Sequence, residues 1–153
     1  MKKIIIISFF CILLDQISKV IITSFLDVNS SIDIINNFFN LTLVHNDGAA
    51  WSILSGNRLL LIFISLIALV LIYYIFIKNK NLRKIDIITY GMLIGGIIGN
   101  LVDRVFYGYV IDFLDFKIFN YNYPVFNIAD CFIVISAILL IVDVVKEGVV
   151  CKQ

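Results

Sequence analysis

Four long apolar runs, separated by shorter polar connections, dominate the hydropathy pattern of the chain. The runs cover residues 4–25, 59–77, 87–106 and 129–145. Each is close to the roughly 20 residues that a helix needs to cross the hydrocarbon core of a bilayer. Because backbone groups inside lipid must be satisfied within the protein, each run is predicted to be a helix. The predicted fold class is an all-α membrane protein, a bundle of four transmembrane helices in one integral membrane domain spanning residues 1–153.

The two longer connections, residues 26–58 and 107–127, carry a different pattern. Residues 40–46 alternate and include β-branched side chains, and the turn signal Asp47-Gly48 follows them, which predicts a short strand. Residues 110–117 predict a second strand. The expected result is a small sheet lying on the membrane surface.

Composition agrees with a membrane protein. The chain is 61% hydrophobic and 15% charged, with a mean hydropathy of +1.05, whereas soluble domains are about 45–50% apolar and about 25% charged. A soluble globular domain and a coiled coil are therefore excluded. The net charge of +1 gives no electrostatic basis for a nucleic-acid partner. The scattered cysteines (Cys11, Cys131 and Cys151) suggest neither a disulfide framework nor a zinc site.

The basic residues predict the orientation of the bundle. Eight of the 12 lysines and arginines fall at the two termini and between the second and third runs. The positive-inside rule therefore places both termini in the cytoplasm and residues 26–58 and 107–127 outside. The eight residues are Lys2, Lys3, Lys78, Lys80, Arg83, Lys84, Lys146 and Lys152.

The first run is expected to be a retained helix rather than a cleaved signal peptide. Asp15 and Lys19 interrupt its apolar stretch, and no small-x-small cleavage site follows. These two residues are four apart on one helix face, with the acid first, which is the favourable order. Two interpretations stay open for them: a neutralising pair that fixes helix packing, or part of a functional site.

The third run combines a glycine ridge with polar residues near its outer end. Gly91, Gly95 and Gly99 recur every four residues, a pattern that lets a neighbouring helix approach closely. Asn100 and Arg104 follow on a shared face. A buried arginine there would orient a carboxylate or a substrate carbonyl. The alternative is an arginine that extends to the membrane interface, with Asp103 as its counter-ion.

Two aspartates near the outer face are the candidate catalytic groups. Asn127 is a good N-cap, and Asp130 three residues later fits a capping box, which is one interpretation of Asp130. The other interpretation pairs it with Asp112, just past the end of the third run. Two close carboxylates share a proton, so one acts as base on a water and the other as acid. Competing chemistries are weak, because the single histidine, His45, fits a strand and no H-E-x-x-H or phosphate-binding loop is present.

Five blocks, in one order and covering nearly the whole chain, resemble bacterial lipoprotein signal peptidase (signal peptidase II), a family of membrane aspartic endopeptidases. The one departure is Trp51, where the family more often has Phe, and it keeps an apolar aromatic ring. The blocks are Asp15-Gln16-x-Ser18-Lys19, Asn46-Asp47-Gly48-Ala49-Ala50-Trp51-Ser52, Gly95-Gly96-x-x-Gly99-Asn100-x-x-Asp103-Arg104, Val110-Ile111-Asp112-Phe113 and Phe126-Asn127-x-Ala129-Asp130.

The resemblance implies both an activity and a set of site residues. It implies cleavage of prolipoproteins just before the diacylglyceryl-modified cysteine, by Asp112 and Asp130, at the outer face of the bacterial cytoplasmic membrane. It also implies an extracytoplasmic β-rich cradle, prolipoprotein and membrane-lipid partners, a monomer, and no cofactor or metal. Asn46, Asn100, Arg104 and Asn127 match positions that orient the substrate backbone or the aspartates. Asp15, Lys19 and Asp103 are expected to support the site. Gly48 and Ala49 are expected to lie beside it, in the outer sheet.

Two other classes of function stay open. One is a small proton-coupled carrier or channel subunit, in which the intramembrane charges would line an ion path. The other is a non-catalytic assembly subunit packed through the glycine ridge. A carrier is expected to have broken helices and symmetric halves. This chain has no internal repeat, and its polar residues gather toward one membrane face, which favours chemistry at the interface.

Overall fold

Four long helices form the membrane part of the protein. The computed structural model describes residues 1–49, 53–78, 81–119 and 121–150. Each of the four spans is long and apolar enough to cross a membrane, which confirms the predicted bundle. The second helix continues into a π-helical segment, Ile72–Ile77. The helices are α1 (Lys2–Phe25), α2 (Arg58–Leu71), α3 (Lys84–Phe106) and α4 (Ile128–Val150).

The helices are longer than their apolar runs predict. They begin one to three residues earlier, and α4 ends at Val150 instead of residue 145. At the start of α3 the extension has a capping interaction, because the backbone N–H of Arg83 donates to the Asp86 carboxylate at 2.8 Å. Hydropathy marks only the part of a helix that lies in lipid, so these polar turns were outside the prediction.

A four-stranded antiparallel sheet covers one end of the bundle, in the order β1-β2-β3-β4. The predicted strands at 40–46 and 110–117 are confirmed as β2 and β3. The sequence analysis missed β1, whose residues are all exposed, and β4, which has two residues. Neither has the alternation that marks a strand with one buried face. The strands are β1 (Ser31–Ile35), β2 (Phe39–Asn46), β3 (Val110–Ile118) and β4 (Tyr121–Asn122).

A shift in register between β2 and β3 determines which side chains face each other near the end of the bundle. Leu41 pairs with Leu114, but Val44 pairs with Asp112, so β2 has one extra residue in this interval. Such a bulge re-aims the side chains beyond it. Asn46, two residues after Val44, becomes a diagonal neighbour of Asp112 on the same face of the sheet.

The sheet is fixed to the bundle by a buried apolar cluster. Ile22 and Leu26, at the end of α1, pack against Leu43 of β2 and against Ile111 and Phe113 of β3. Because Ile111 and Phe113 flank Asp112 along the strand, their burial on one face directs the aspartate to the other face.

The glycines of α3 allow its close contact with two neighbouring helices. A Cβ on Gly91 or Gly95 would lie 2.6 Å from a side-chain carbon of Ile7 or Cys11 on α1, and a Cβ on Gly96 would lie 2.6 Å from the Ala129 carbonyl oxygen of α4. These separations are shorter than van der Waals contact. The predicted glycine ridge is therefore confirmed, and Gly96 extends it to a second face.

We expect Gly95→Val to destabilise the protein by forcing α1 and α3 apart. A Cβ at this position would also lie 2.9 Å from the backbone oxygen of Ser8, which cannot move away as a side chain can. The expected loss in free energy of unfolding is about 1–3 kcal/mol, the usual cost of overpacking, measured by denaturation in detergent. Ile88→Val, at an exposed position of the same helix, is the control. Equal stability of the two variants would contradict this account of the helix contact.

Candidate active site

Asp112 lies near the start of β3, with only 2% of its surface exposed. The Asn46 side-chain amide donates to its Oδ2 atom at 2.9 Å, and the Asn127 amide donates to its Oδ1 atom at 2.7 Å. The first contact follows from the register of β2 and β3. Both carboxylate oxygens of this buried group therefore accept a hydrogen bond.

Asp130 lies in the first turn of α4, where it completes a capping box. Its backbone N–H donates to the Asn127 Oδ1 atom at 3.0 Å, and the Asn127 backbone N–H donates to the Asp130 Oδ2 atom at 3.2 Å. The Asn100 side-chain amide donates to the Asp130 Oδ1 atom at 2.7 Å. The capping interpretation of Asp130 is thus confirmed. The same side chain also belongs to the polar cluster around Asp112.

Asn127 connects the two aspartates. Its side-chain nitrogen donates to Asp112 and also to the Asn100 Oδ1 atom, at 3.1 Å. Its backbone N–H binds Asp130. The structure therefore brings together Asp112, Asp130, Asn46, Asn100 and Asn127 at the sheet end of the bundle.

The surroundings of Asp112 favour its protonated form. Burial, together with the negative charge of Asp130, raises the pKa of Asp112 to about 7, against the opposing effect of the amide donors and of Lys19. A carboxyl with this pKa exchanges a proton near neutral pH, as a general acid or base requires.

A buried ion cluster lies next to Asn100. The Lys19 ammonium donates to Asp15 at 2.8 Å, to Asp103 at 2.7 Å and to the Asn100 Oδ1 atom at 3.0 Å. Asp15 also accepts from the Ala129 N–H, and Asp103 accepts from the Ile111 N–H. The cluster thus fixes α1 to α3, α4 and β3. Both interpretations of the Asp15–Lys19 pair are compatible with this geometry.

The suggestion that Asp103 is the counter-ion of Arg104 was wrong. Adjacent residues on a helix point in different directions, and Asp103 pairs with Lys19 instead. Gln16 is a member of the cluster that the site prediction did not include. Its amide donates to Asp15 at 3.1 Å and to Asp103 at 2.9 Å. The sequence did contain a signal for this role, because Gln16 is a polar residue next to Asp15 within an apolar run.

Arg104 connects the end of α3 to the loop after β2. Its Nη2 atom donates to the Gly48 carbonyl at 2.8 Å. Its Nε atom is buried and has no hydrogen-bond partner among the described residues. Gly48 and Ala49 do lie beside the site, but the expectation that they belong to the sheet was wrong, because β2 ends at Asn46. The Gly48 N–H donates to the Asn46 Oδ1 atom at 2.9 Å, which closes a turn.

His45 lies in β2, as predicted, and on the other face of the sheet from Asp112. It pairs with Ile111 in the register, and its ring stacks on Tyr109 with 3.8 Å between centroids. Burial lowers the pKa of His45, which favours the neutral form of the ring. This placement separates it from the two aspartates.

Arg58 has a structural role that the sequence analysis missed. Its guanidinium donates to the carbonyl oxygens of Arg104 and Val105, both at 2.7 Å. Carbonyl groups at a helix C-terminus have no partner within the helix, so Arg58 caps α3 from the start of α2. Parts of the sequence prediction concern residues outside the described ranges, namely Ala50, Trp51, Ser52, Lys80, Cys151 and Lys152.

These features define a four-span membrane protein with two linked carboxylates, one buried and one half-buried, where its sheet meets the helices. Sequence comparison identifies the family: a sequence model described as Signal peptidase (SPase) II matches residues 7–146. The lipoprotein signal peptidase of Staphylococcus aureus strain MRSA252 is 38% identical over 143 residues, which are 94% of this chain and 88% of that protein. The protein of strain JH9 gives the same values.

Solved structures agree with the sequence comparison. Two chains, both described as a bacterial membrane enzyme structure obtained by the in meso method, superpose with TM-scores of 0.89 and 0.86 at 37% identity. The first alignment covers 97% of this chain and 90% of that chain, and the second covers 96% and 95%. The chain belongs to the signal peptidase II family. It is therefore a membrane-embedded peptidase.

Asn127 is expected to stabilise both the start of α4 and the buried carboxylate of Asp112. We expect Asn127→Ala to lower the free energy of unfolding by about 2–4 kcal/mol, because it removes a helix cap and a hydrogen bond to a buried charged group. Asn127→Ser keeps an oxygen that can cap the helix and should recover about 1 kcal/mol of this loss. Denaturation in detergent measures both values. Identical losses in the two variants would contradict the capping role.

Proposed function

We propose that the protein is an aspartic endopeptidase that removes signal peptides from prolipoproteins, with Asp112 and Asp130 as its catalytic residues. The scissile bond is the one before the diacylglyceryl-modified cysteine. Membership of the signal peptidase II family and the names of the relatives support this substrate class. One observation carries the aspartic chemistry: Asn127 binds both carboxylates, and Asp112 has a pKa of about 7 because of burial and the neighbouring charge of Asp130.

The chemistry needs one proton shared by the pair. The ionised carboxylate takes a proton from a water molecule, whose oxygen attacks the carbonyl carbon of the scissile bond. The protonated carboxyl donates its proton to the carbonyl oxygen, which gives a neutral tetrahedral intermediate. The C–N bond then breaks as the leaving amine takes a proton from the first carboxyl and the second carboxyl recovers its own. The pair returns to its starting protonation state.

The surrounding polar groups have two proposed tasks. Asn46, Asn100 and Asn127 hold the carboxylates through hydrogen bonds from their amide N–H groups. The remaining lone pairs on the carboxylate oxygens are available for water and substrate. Arg104 binds the substrate backbone, because its guanidinium lies close enough to Asp112 and Asp130 to interact with their charges and carries N–H donors for a carbonyl oxygen. Asp15, Lys19 and Asp103 support the site from behind, and the turn at Gly48 and Ala49 forms its border.

The position of the aspartates suits a lipid-modified substrate. They lie where α3 ends and α4 begins, at the end of the bundle that the sheet covers. With both termini in the cytoplasm, as the basic residues predict, this end is at the outer leaflet. A diacylglyceryl cysteine has its acyl chains in that leaflet, so its peptide bond reaches the site without leaving the membrane. We propose that the chain acts as a monomer in a single membrane domain.

The alternative of a carrier or channel subunit is not favoured. The fully buried charged residues of the described helices, Asp15, Lys19 and Asp103, bind one another and Asn100 at one end of the bundle. An ion path requires polar groups along the depth of the membrane. The cluster instead contacts Asn100, whose side chain donates to Asp130.

We expect Asp112→Asn and Asp130→Asn each to abolish cleavage while the protein stays folded in the membrane. Each variant loses one member of an acid–base pair, and positioned acid–base groups contribute about 10²–10⁴-fold in rate. The assay is cleavage of a purified diacylglyceryl-modified prolipoprotein in detergent, with mass spectrometry locating the new N-terminus at the modified cysteine.

Asp115→Asn is the matched control for this experiment. Asp115 lies on the same strand but on its other face, where it accepts a hydrogen bond from Thr42 at 2.7 Å. An asparagine oxygen still accepts that bond, so near-normal cleavage is expected. Near-normal cleavage by either of the first two variants would refute the assignment of the catalytic pair.

A further inference from the structure

Lys19 reaches the aspartate pair through a single asparagine. A lysine ammonium has three N–H donors and no acceptor. Here the three donors face Asp15, Asp103 and the Asn100 Oδ1 atom, at 2.7–3.0 Å, and Lys19 is 1% exposed. Every donor is used, and two carboxylates from different helices fix the position of the cation.

The cation determines how the Asn100 side chain is turned. The oxygen and nitrogen ends of an asparagine amide have nearly the same shape, so neighbouring donors and acceptors decide which end lies where. Because Lys19 only donates, the Asn100 oxygen must face it. The nitrogen of Asn100 then points away from Lys19 and donates to the Asp130 Oδ1 atom at 2.7 Å.

The same constraint passes to Asn127. The Asn100 Oδ1 atom, held toward Lys19, also accepts from the Asn127 Nδ2 atom at 3.1 Å. The second hydrogen of that nitrogen goes to the Asp112 Oδ1 atom, at 2.7 Å. The oxygen of Asn127 is left to accept the Asp130 N–H. The cation thus orients Asn100 directly and reinforces the orientation that the Asp130 N–H gives Asn127, and the two amides donate to both aspartates.

We propose that Lys19 is a positioning residue, which sets the amide orientation of Asn100, fixes the acceptor for Asn127 and thereby holds Asp112 and Asp130 in one hydrogen-bonded arrangement. This inference rests on the proposed function of the two aspartates. It assigns Lys19 a role beyond helix packing. Without the cation, the Asn100 amide is free to rotate and present its oxygen atom to Asp130, where it would accept the proton that catalysis requires. Asn127, whose oxygen still accepts the Asp130 N–H, then loses its fixed acceptor on Asn100.

The positive charge of Lys19 also acts on the aspartate pair, because it favours the ionised form of Asp112. The charged groups around this network are Asp15 on α1, Asp103 and Arg104 on α3, Asp112 on β3 and Asp130 on α4. Burial and the charge of Asp130 raise the pKa of Asp112, and the Lys19 cation counteracts them. Loss of the cation therefore makes the pair hold its proton to higher pH.

The test compares Lys19→Met, Lys19→Gln and Lys19→Arg with the parent protein in the prolipoprotein cleavage assay across pH. In the parent, we expect activity to fall as pH rises through about 7, because the shared proton is lost. In the Met and Gln variants we expect kcat to fall about 10–100-fold, as for residues that act through another residue, with KM little changed. The fall in activity at high pH, which is the alkaline limb of the pH profile, should move to higher pH by an amount on the order of one pH unit. Lys19→Arg keeps the charge and should keep that limb in place.

Ser8→Ala is the matched control, since the Ser8 hydroxyl joins α1 to α3 through the Gly91 carbonyl oxygen, at 2.9 Å, and lies about three helical turns from Lys19. It should weaken the contact between α1 and α3 yet leave kcat and the pH profile unchanged. Thermal unfolding in detergent identifies the folded variants. Should Lys19→Met not fold, Lys19→Gln, which retains a donor, carries the same test.

The outcomes separate this inference from the proposed function. Parent activity with the alkaline limb unmoved in Lys19→Gln overturns the positioning role and leaves the catalytic pair intact. An equal shift of the limb in Ser8→Ala also overturns it, because the effect would then come from loosened helix packing. Failure of the parent protein to cleave the prolipoprotein, or full activity of Asp112→Asn, refutes the proposed function itself.

Discussion

Two carboxylates that lie close together in a water-poor site repel each other and lose hydration, so the protein must offset both costs. At Asp112 and Asp130 the compensation comes from N–H donors: three asparagine side chains and the backbone N–H of Asn127. These donors come from β2, α3 and the start of α4. The sheet, the helix ends and the ion cluster can therefore be understood as the framework that brings four donors to two acids.

Close helix packing is what makes this framework possible inside a membrane. The glycines of α3 remove the side chains that would separate it from α1 and α4. A Cβ on Gly99 would lie 2.7 Å from a carboxylate oxygen of Asp15, so the packing surface and the ion cluster are the same place. The polar groups bind one another instead of water, as buried polar residues in membranes must. The residues that hold the helices together at this end of the bundle are consequently the same ones that surround the aspartates.

The sequence predicted those features that depend on local pattern or on topology. The spans followed from hydropathy, the cap at Asn127 from its spacing to Asp130, and the proximity of Asp112 and Asp130 from their positions at adjacent helix ends. Asn46 was assigned only through the family resemblance, because its contact with Asp112 depends on a bulge between β2 and β3. The Lys19–Asp103 pair depends on the rotation of α3 about its axis, and the capping of α3 by Arg58 depends on the position of α2. A single sequence specifies neither.

The most direct test of the close aspartate pair is a titration of the Asp112 carboxyl by carbon-13 NMR, with aspartate-labelled protein in detergent. The Asp112→Asn spectrum assigns the signal. The account predicts a pKa of about 7 for Asp112 in the parent protein and a lower pKa in Asp130→Asn, where the neighbouring negative charge is absent. An Asp112 carboxyl that titrates near 4 in the parent, or at the same pH in both proteins, would contradict it.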